Sequence, residues 1–352
     1  MPPVLDASNL NSEASAGRLA PAAAQALRRV YVPNSEDGTV SVIDATTYQV
    51  IGTFAVGKHP QHVVPSWDLK TLWVANNHGD SLTPIDPLTG ELGAAVTVDD
   101  PYNMYFTPDG RFAIVVAEEL MRLDFRDAQT MALVQSVPVT CKGVDHMDFT
   151  IDGRFALATC EFSGELARLD VAARKVVGYL KLDPDGLGKK SMPQDVRFGP
   201  DGKRAFVADM MADGVWVVDS ASFTRVGFVA TGKGAHGIYP SRDGKLLYVT
   251  NRGCSHVYGC EKGPGSVAVL DPGSLQVIAT WPIPEGGSPD MGNVSSDGNE
   301  LWLSGRYDDE VYVIDTRSGA LAHRIPVGRG PHGLTVWPQP GRYSLGHTGN
   351  MR

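Results

Sequence analysis

Four histidines occupy one recurring position in this sequence. Turns of the Asp-Gly type, with Asp68-Leu69 as a variant, follow one another at intervals of 41 to 54 residues. A polar or sulfur-containing side chain lies six residues before most of these turns, and His236 lies seven before its own turn. A final segment without such a turn adds His332 at the equivalent place. The seven positions are His62, Asn103, His146, Asp195, His236, Met291 and His332.

These histidines predict a metal centre. The chain has nine histidines, and four of them at one repeat position indicate a shared role. Neutral imidazole nitrogens are ligands for zinc, copper and iron, so we expect a transition metal ion as cofactor, with Asp195, Asn103 and Met291 shaping its open positions. Iron or copper would favour redox or oxygen chemistry on a small molecule, and zinc would favour hydrolysis or lyase chemistry. The predicted metal ligands are His62, His146, His236 and His332.

A second polar set is expected around these histidines, because the strand after each turn returns to the same face. Carboxylates there can accept the other N–H of an imidazole or act as general bases, a role also open to Asp145. Arg306 would either clamp an anionic substrate or pair with Asp308 or Asp309, and we favour the ion pair. The set comprises Asn34, Asn76, Glu118, Glu161, Asp209, Asn251 and Arg306. The predicted catalytic residues are Asp195, Glu161, Asp209 and Arg306.

β-Strands are the elements that must position these side chains. Each turn separates two apolar runs rich in β-branched and aromatic residues, such as residues 112–116 after Asp109-Gly110, which indicates a β-hairpin. A third run ending in Asp follows, as in residues 311–315, and then a fourth run, as in residues 277–281. Four strands in a repeat of roughly 40–50 residues are typical of a β-propeller blade.

The two ends of the chain supply a seventh blade. Residues 30–34, 40–44 and 50–54 give three strands without an inner one, and residues 332–336 give an inner strand alone. Their pairing closes the ring and removes exposed edge strands. The sequence therefore predicts an all-β, seven-bladed β-propeller with four-stranded antiparallel blades over residues 28–340. An N-terminal extension (1–27) precedes it, and a C-terminal tail (341–352) follows.

Three short motifs carry a resemblance to a known family. Residues 31–34 (YVPN), 73–76 (WVAN) and 248–251 (YVTN) resemble the YVTN repeat. Over residues 28–340 the chain is similar to YVTN-repeat propellers of the YncE-like and cytochrome d1-like kind, in an uncharacterised bacterial branch with many exported members. The resemblance implies a seven-bladed scaffold and not one chemistry, so the function must be argued from the site.

Charge and hydropathy restrict the partners and the compartment. The formal net charge is -9 without a Lys/Arg-rich run, which argues against a nucleic-acid partner. No stretch approaches the roughly 18 apolar residues of a membrane span. The first 27 residues lack the basic and apolar regions of a signal peptide, so the sequence as it stands predicts a cytoplasmic protein, and an exported one if a leader has been removed. We expect a monomer that binds a small-molecule substrate at the mouth of the central channel.

The remaining cysteines and histidines carry weaker signals. Four cysteines are too few for a disulfide framework. Cys254 and Cys260 share a Gly-rich loop and either form a local disulfide or remain free thiols. Five histidines are interpreted as ordinary loop or surface residues, which are common. They are His59, His78, His256, His323 and His347.

Two other functions remain open. A metal-free, lactonase-like hydrolase would use a pair such as His146 and Asp195 to activate water. A non-catalytic binding scaffold would present its longest loops, residues 183–193 and 253–265, to a partner. Replacing the four predicted ligand histidines separates these cases, because a scaffold would keep its partner.

Overall fold

A computed structural model describes residues 2, 5, 6, 8–182, 191–257, 259, 260, 262–347 and 349–352. In the first half of the described chain lie η1 (Ser12–Ala14), α1 (Pro21–Ala24), β1 (Arg29–Asn34), β2 (Thr39–Asp44), β3 (Gln49–Ala55), β4 (Pro60–Pro65), β5 (Leu72–Asn76), η2 (Asn77–Gly79), β6 (Ser81–Ile85), β7 (Val96–Thr97), β8 (Pro101–Phe106), β9 (Phe112–Ala117), β10 (Arg122–Asp127), β11 (Leu133–Pro138), β12 (Val144–Phe149), β13 (Phe155–Cys160), η3 (Glu161–Ser163), β14 (Glu165–Asp170) and β15 (Lys175–Lys181). In the second half lie β16 (Pro193–Phe198), β17 (Arg204–Asp209), β18 (Gly214–Asp219), β19 (Thr224–Ala230), β20 (Ala235–Pro240), β21 (Leu247–Asn251), β22 (Ser266–Asp271), β23 (Gln276–Pro282), β24 (Pro289–Val294), β25 (Glu300–Gly305), β26 (Glu310–Asp315), β27 (Leu321–Pro326) and β28 (Thr335–Trp337).

The strands of the described residues form seven four-stranded antiparallel sheets. Six sheets each use four strands that are consecutive in sequence, with β4, β8, β12, β16, β20 and β24 innermost. In the remaining sheet β28 is innermost and pairs with β1, Tyr31 opposite Thr335. The predicted seven-bladed propeller, closed by strands from both ends of the chain, is confirmed.

Burial follows from the position of each strand in its blade. The inner three strands are packed on both faces and are almost continuously buried, as in β9 and β17. The outermost strands alternate between exposed and half-buried residues, as in β15 and β19, because one face meets solvent. Apolar clusters fill the space between adjacent blades. One of them packs Trp302 of β25 with Val30 and Val32 of β1.

Two kinds of turn repeat around the ring. Gly110 adopts a φ of +70°, and a Cβ there would lie 2.5 Å from the Trp67 ring, so glycine suits both the conformation and the space. The Asp that ends the third strand starts the next turn, since Asp44 Oδ1 accepts the N–H groups of Thr46 and Thr47 at 2.8 and 2.9 Å. The Asp-Gly and strand-ending Asp patterns of the sequence thus have a structural cause.

All four cysteines lie within the described residues, and they form two disulfides. Cys254 pairs with Cys260, which is one of the two alternatives the sequence left open. Cys141, just before β12, pairs with Cys160, the last residue of β13. The sequence analysis did not anticipate this pairing.

Of the loop 183–193, which was predicted as a contact point for a partner, residues 183–190 lie outside the described residues. None of the helices in the described ranges has the length and apolar character needed to cross a bilayer.

Candidate functional site

The inner strands place two layers of side chains on the channel. Six of them shift register just after their first residue, and Pro331, which bridges to Asn34, takes the equivalent place in the closing blade. The second residue of each inner segment forms an upper layer, nearer the face where the inner strands begin. The upper layer is Gln61, Tyr102, Asp145, Gln194, His236, Asp290 and His332. The third residues form a deep layer of His62, Asn103, His146, Asp195, Gly237, Met291 and Gly333.

This register differs from the spacing expected for two of the histidines. The strand β20 has six residues, like the other full-length inner strands, and Ile238 pairs with Val249 in the common register. His236 therefore belongs to the upper layer, and so does His332, one residue before Gly333. Only His62 and His146 of the four share the deep layer. The four histidines therefore do not form a single ring of equivalent positions.

Three imidazoles nevertheless converge beside the deep layer, two from its own residues and one from the C-terminal tail. One ligand atom from each of His62, His146 and His347 lies within 4.8 Å of the others, and all three side chains are fully buried. The His146 and His347 ring centroids are 4.5 Å apart, and that of His62 lies 5.4 and 5.3 Å from them. The interpretation of His347 as an ordinary loop residue is wrong, because the tail that carries it folds into the channel.

The C-terminal tail reaches the channel from the face where the inner strands end. Tyr343 and Leu345 pack in the apolar cluster that contains Tyr105, and the backbone N–H of His347 donates to the Met104 carbonyl at 3.0 Å. Asn103 Nδ2 lies 3.0 Å from His347 Nδ1. No repeat pattern marks the tail, so the only sequence signal for His347 was its residue type.

Burial keeps the three imidazoles neutral. It lowers the pKa of His146 to about 4 and holds the pKa values of His62 and His347 well below their usual range. Neither nitrogen of His62 has a hydrogen-bond partner within the described residues. Asp145 Oδ1 lies 2.8 Å from His146 Nδ1, without hydrogen-bond geometry. Neutral imidazole is the form of histidine that binds a metal ion.

The two upper-layer histidines contact the carboxylate of Asp290. His236 Nδ1 and His332 Nδ1 lie 3.0 and 2.6 Å from the two oxygens of the buried Asp290 carboxylate. Arg252 also contacts Asp290, its Nε at 2.8 Å from Oδ1, and holds the pKa of Asp290 well below its usual range despite burial. His332 remains close to the cluster, with its ring 4.8 Å from that of His62 and its Nε2 3.4 Å from the Tyr102 hydroxyl.

The three residues predicted to shape the open metal positions, Asp195, Asn103 and Met291, make contacts with neighbouring residues. Asp195 accepts the backbone N–H groups of Val196 and Ile238 at 2.9 and 3.0 Å, and its Oδ1 lies 3.8 Å from His347 Nε2. Burial raises the pKa of Asp195. Met291 Sδ accepts a hydrogen bond from a tyrosine hydroxyl at 3.0 Å, and Asn103 contacts His347. Asn103 and Asp195 therefore border the cluster, whereas Met291 is held by a neighbouring blade.

The predicted second polar set separates into two groups. Asn34, Asn76, Asp209 and Asn251 pair with the first residue of an inner segment or bridge to it and bind within their own blades. Asp209 accepts from Ser191, from the Trp216 indole at 2.9 Å and from three backbone N–H groups, so its oxygens are engaged in local structure.

Glu118, Glu161 and Arg306 each lie one residue beyond the corresponding position in their own blades. Glu161 accepts a hydrogen bond from Gln194 at 2.9 Å. Arg306 donates to the Ser35 hydroxyl and the Gly330 carbonyl at 2.9 and 3.2 Å. Within the described part of the chain its contacts include no ion pair with Asp308 or Asp309, so the favoured ion pair is wrong.

Solved structures show the same fold at low sequence identity. Hydrazine synthase from Kuenenia stuttgartiensis is 20% identical, with a TM-score of 0.64 and coverage of 77% of this chain and 87% of that one. A putative 6-phosphogluconolactonase from Bacteroides uniformis is 18% identical, with a TM-score of 0.68 and coverage of 87% and 98%. At these identities the likeness establishes the propeller and no activity.

Sequence comparison identifies the family. The uncharacterized protein YncE of Salmonella typhi is 23% identical over 280 residues, which span 76% of this chain and 74% of that protein. The family model described as YNCE-like beta-propeller matches residues 4–127 and 253–340. This agrees with the resemblance drawn from the YVTN-type motifs. The chain belongs to the YNCE-like beta-propeller family.

Proposed function

We propose that this protein is a metalloenzyme that binds one transition metal ion on His62, His146 and His347 and performs redox chemistry on a small molecule. The proposal replaces the expected four-histidine set with the converging imidazoles of His62, His146 and His347. His236 and His332 are assigned to the layer above, where Asp290 orients them.

One observation carries the proposal: three neutral, fully buried imidazoles offer ligand atoms within 4.8 Å of one another. Buried polar atoms without partners cost free energy, and both nitrogens of His62 are in that state. A bound ion offsets that cost, since metal–nitrogen bonds of about 2.0 Å would draw the rings together. Copper, iron and zinc accept such a donor set.

The redox assignment follows from the choice of copper or iron as the bound ion. A copper or iron ion would supply electron transfer and Lewis acidity. Asn103 Nδ2 lies 3.0 Å from His347 Nδ1, and the ring centroid of Tyr102 is 5.5 Å from that of His62. Such contacts hold the rings of the cluster in position. We place the substrate in the upper layer, between Tyr102 and Glu161.

Elemental analysis of protein purified without a histidine tag tests the proposal. We expect about one equivalent of copper or iron, falling below about a tenth in His62→Ala, His146→Ala and His347→Ala. His256→Ala is the matched control, because His256 is exposed, and it should retain the ion. Circular dichroism verifies folding, and His→Gln variants replace any alanine variant that fails to fold.

Two results would contradict this proposal. Wild-type protein that carries no transition metal, and takes none up on addition, removes the metal centre. Protein that binds zinc in preference to copper and iron keeps the centre but removes the redox chemistry, since zinc does not change oxidation state.

A second candidate is a metal-free hydrolase of the lactonase type. It is favoured by the 2.8 Å separation of Asp145 Oδ1 and His146 Nδ1, since a carboxylate beside an imidazole would assist that imidazole in activating water. The putative 6-phosphogluconolactonase shares the fold. Asp195, the partner first considered, is held by two backbone N–H groups instead. Lactone hydrolysis that survives removal of all metal by a chelator would favour this candidate over the first.

A further inference from the structure

One blade carries an arginine at a repeat position that is apolar in the others. Arg168 lies in β14, opposite Leu157 of β13 and Gly178 of β15. The strand partners identify the same position in the remaining blades, where most of the side chains are buried in apolar clusters. Departures from an otherwise consistent pattern are expected at functional sites. The corresponding residues are Val42, Pro84, Phe125, Val217, Val269 and Val313.

Two aromatic rings hold the guanidinium group of Arg168. Its Cζ lies 3.9 Å from the ring centroid of Phe155, in the same blade, and 5.6 Å from that of Phe223, which precedes β19 in the next blade. A guanidinium group that stacks on a ring keeps its N–H groups, which lie in its own plane, available to acceptors.

The N–H groups of Arg168 have no acceptors in the protein. Its Nε is buried without a hydrogen-bond partner, and the described residues form no ion pair with its guanidinium group. Buried donors are paired in most native structures. A stacked arginine with unpaired donors is therefore prepared to bind an acceptor from outside the chain.

Arg168 borders a groove that contains two more cations. The groove has a volume of about 470 Å³ and lies between neighbouring blades, along the turns that follow β12, β16 and β18. Arg154 and Lys203 line it together with Arg168. Arg154 also approaches the Phe155 ring, with its Cζ 4.8 Å from the centroid. Neither Arg154 nor Lys203 forms an ion pair in the part of the chain that the structure describes.

Three carboxylates also line this groove, and each is engaged in its own turn. In every case Oδ1 accepts a backbone N–H group of the same turn, at 3.0, 3.0 and 2.8 Å. None of them pairs with a cation of the groove within the described ranges, so the three cations are not neutralised by direct contact. The carboxylates belong to Asp152, Asp201 and Asp219.

We propose that Arg154, Arg168 and Lys203 form a binding site for the phosphate or carboxylate group of a small molecule. The fork of N–H groups on Arg168 matches two oxygens of such a group, and the other two cations add positive charge. The groove is large enough to hold more than one oxyanion, so it also receives the rest of the ligand. The site lies at the face where the inner strands end, and it does not depend on the metal centre.

Calorimetry at constant ionic strength tests the site with inorganic phosphate, acetate and chloride as probes. Phosphate or acetate should bind at least about tenfold more tightly than chloride, and the better of the two identifies the group that the natural ligand carries. Arg168→Val introduces the residue found at the same position in other blades, so the fold should be kept. It should reduce the affinity for the better oxyanion about tenfold or more.

Arg174 provides the matched control. Its Cζ lies 5.2 Å from the Phe112 ring centroid, beside the preceding groove, but its Nε donates to Gln135 at 2.8 Å. Arg174→Gln should therefore leave the affinity unchanged. Circular dichroism verifies folding, and Arg168→Gln replaces Arg168→Val if the valine variant fails to fold.

The titrations use protein stripped of metal, so that an ion on the histidine cluster cannot capture phosphate. Equal binding of the three probes, or no saturable binding up to about 10 mM, would overturn the oxyanion site. An affinity that survives replacement of Arg168 would do so too. Metal content is measured separately on the untreated proteins. Oxyanion binding by a protein that never takes up metal supports this site while the metal centre fails.

Discussion

At the scale of single residues, the centre of this protein is defined by polar groups that the fold buries without giving them full partners. Neither nitrogen of His62 is bonded within the described residues. Asp290, in contrast, collects two histidines and an arginine. Natural structures rarely leave buried polar groups unpaired. The unpaired nitrogens of His62 agree with the proposed ligand role, and Asp290 with its partners supports the layer above.

Glu161 provides a test of this buried charge through protein stability. Its pKa is raised from 4.5 to about 8 in the folded chain, so the folded state holds the proton more tightly than the unfolded state. Stability should then fall as the pH rises through this window. Glu161→Gln keeps an acceptor for Gln194 and removes the titration. It should match the wild type at acid pH and exceed its free energy of unfolding by about 1–3 kcal/mol above pH 8.

Urea unfolding across this pH range measures the effect. Glu91→Gln, at an exposed position, should follow the wild-type profile. A Glu161→Gln variant less stable than the wild type at alkaline pH would show that the carboxylate is stabilised by a partner and not penalised by burial.

At the scale of elements, the inner strands supply two of the three clustered histidines and the tail supplies the third. The tail approaches β8 closely, and Gly346 bridges to Tyr105 at a φ of +92°. A Cβ on Gly346 would lie 2.4 Å from the Met104 carbonyl oxygen. Glycine is needed there both for the left-handed conformation and for the close approach.

Gly346→Ala should therefore displace the tail and with it His347. We expect a loss of about 1–3 kcal/mol in stability and a fall in bound metal to below about a tenth of the wild-type content, with the β-sheet circular dichroism spectrum retained. Gly17→Ala is the matched control, since Gly17 has a φ of +80° but a Cβ there would meet no atom within 4 Å. It shares the backbone strain and should keep the metal. Metal retained in Gly346→Ala would contradict this role of the tail.

At the scale of the whole molecule, closure of the ring gathers residues that are far apart in sequence. β28 completes the blade that contains β1, and its last residue, Trp337, is buried. Without β28, β1 would become an unpaired strand facing the channel. The two disulfides act locally, each joining cysteines within 19 residues of one another, so they do not replace the closing strand.

Two truncations separate closure from the role of the tail. A chain ending at Gly341 keeps β28 and should remain a folded propeller without the metal. A chain ending at Gly330 also loses β28 and the buried Trp337, and its free energy of unfolding should be lower by a further 3 kcal/mol or so, with aggregation in size-exclusion chromatography. Equal thermal stability of the two truncations would contradict the proposed importance of the closing strand.

The sequence alone was sufficient for the architecture. Regularly spaced Asp-Gly turns between β-branched runs predicted the blades, and the incomplete sets of strands at the two ends predicted the closure that β1 and β28 make. These features are local, because a turn or a strand is encoded by neighbouring residues and a repeat multiplies the signal. The YVTN-type motifs identified the family for the same reason.

The composition of the site was decided by the tertiary structure. A shift of one residue separates His236 and His332 from His62 and His146, and register depends on pairing between strands. His347 joins the cluster because an irregular tail packs against β8. No periodic pattern in the sequence predicts such a contact. Sequence determines which side chains recur, since recurrence is a property of the chain. Which imidazoles meet is decided only when the strands, the ring and the tail have packed, since that is a property of distances in space.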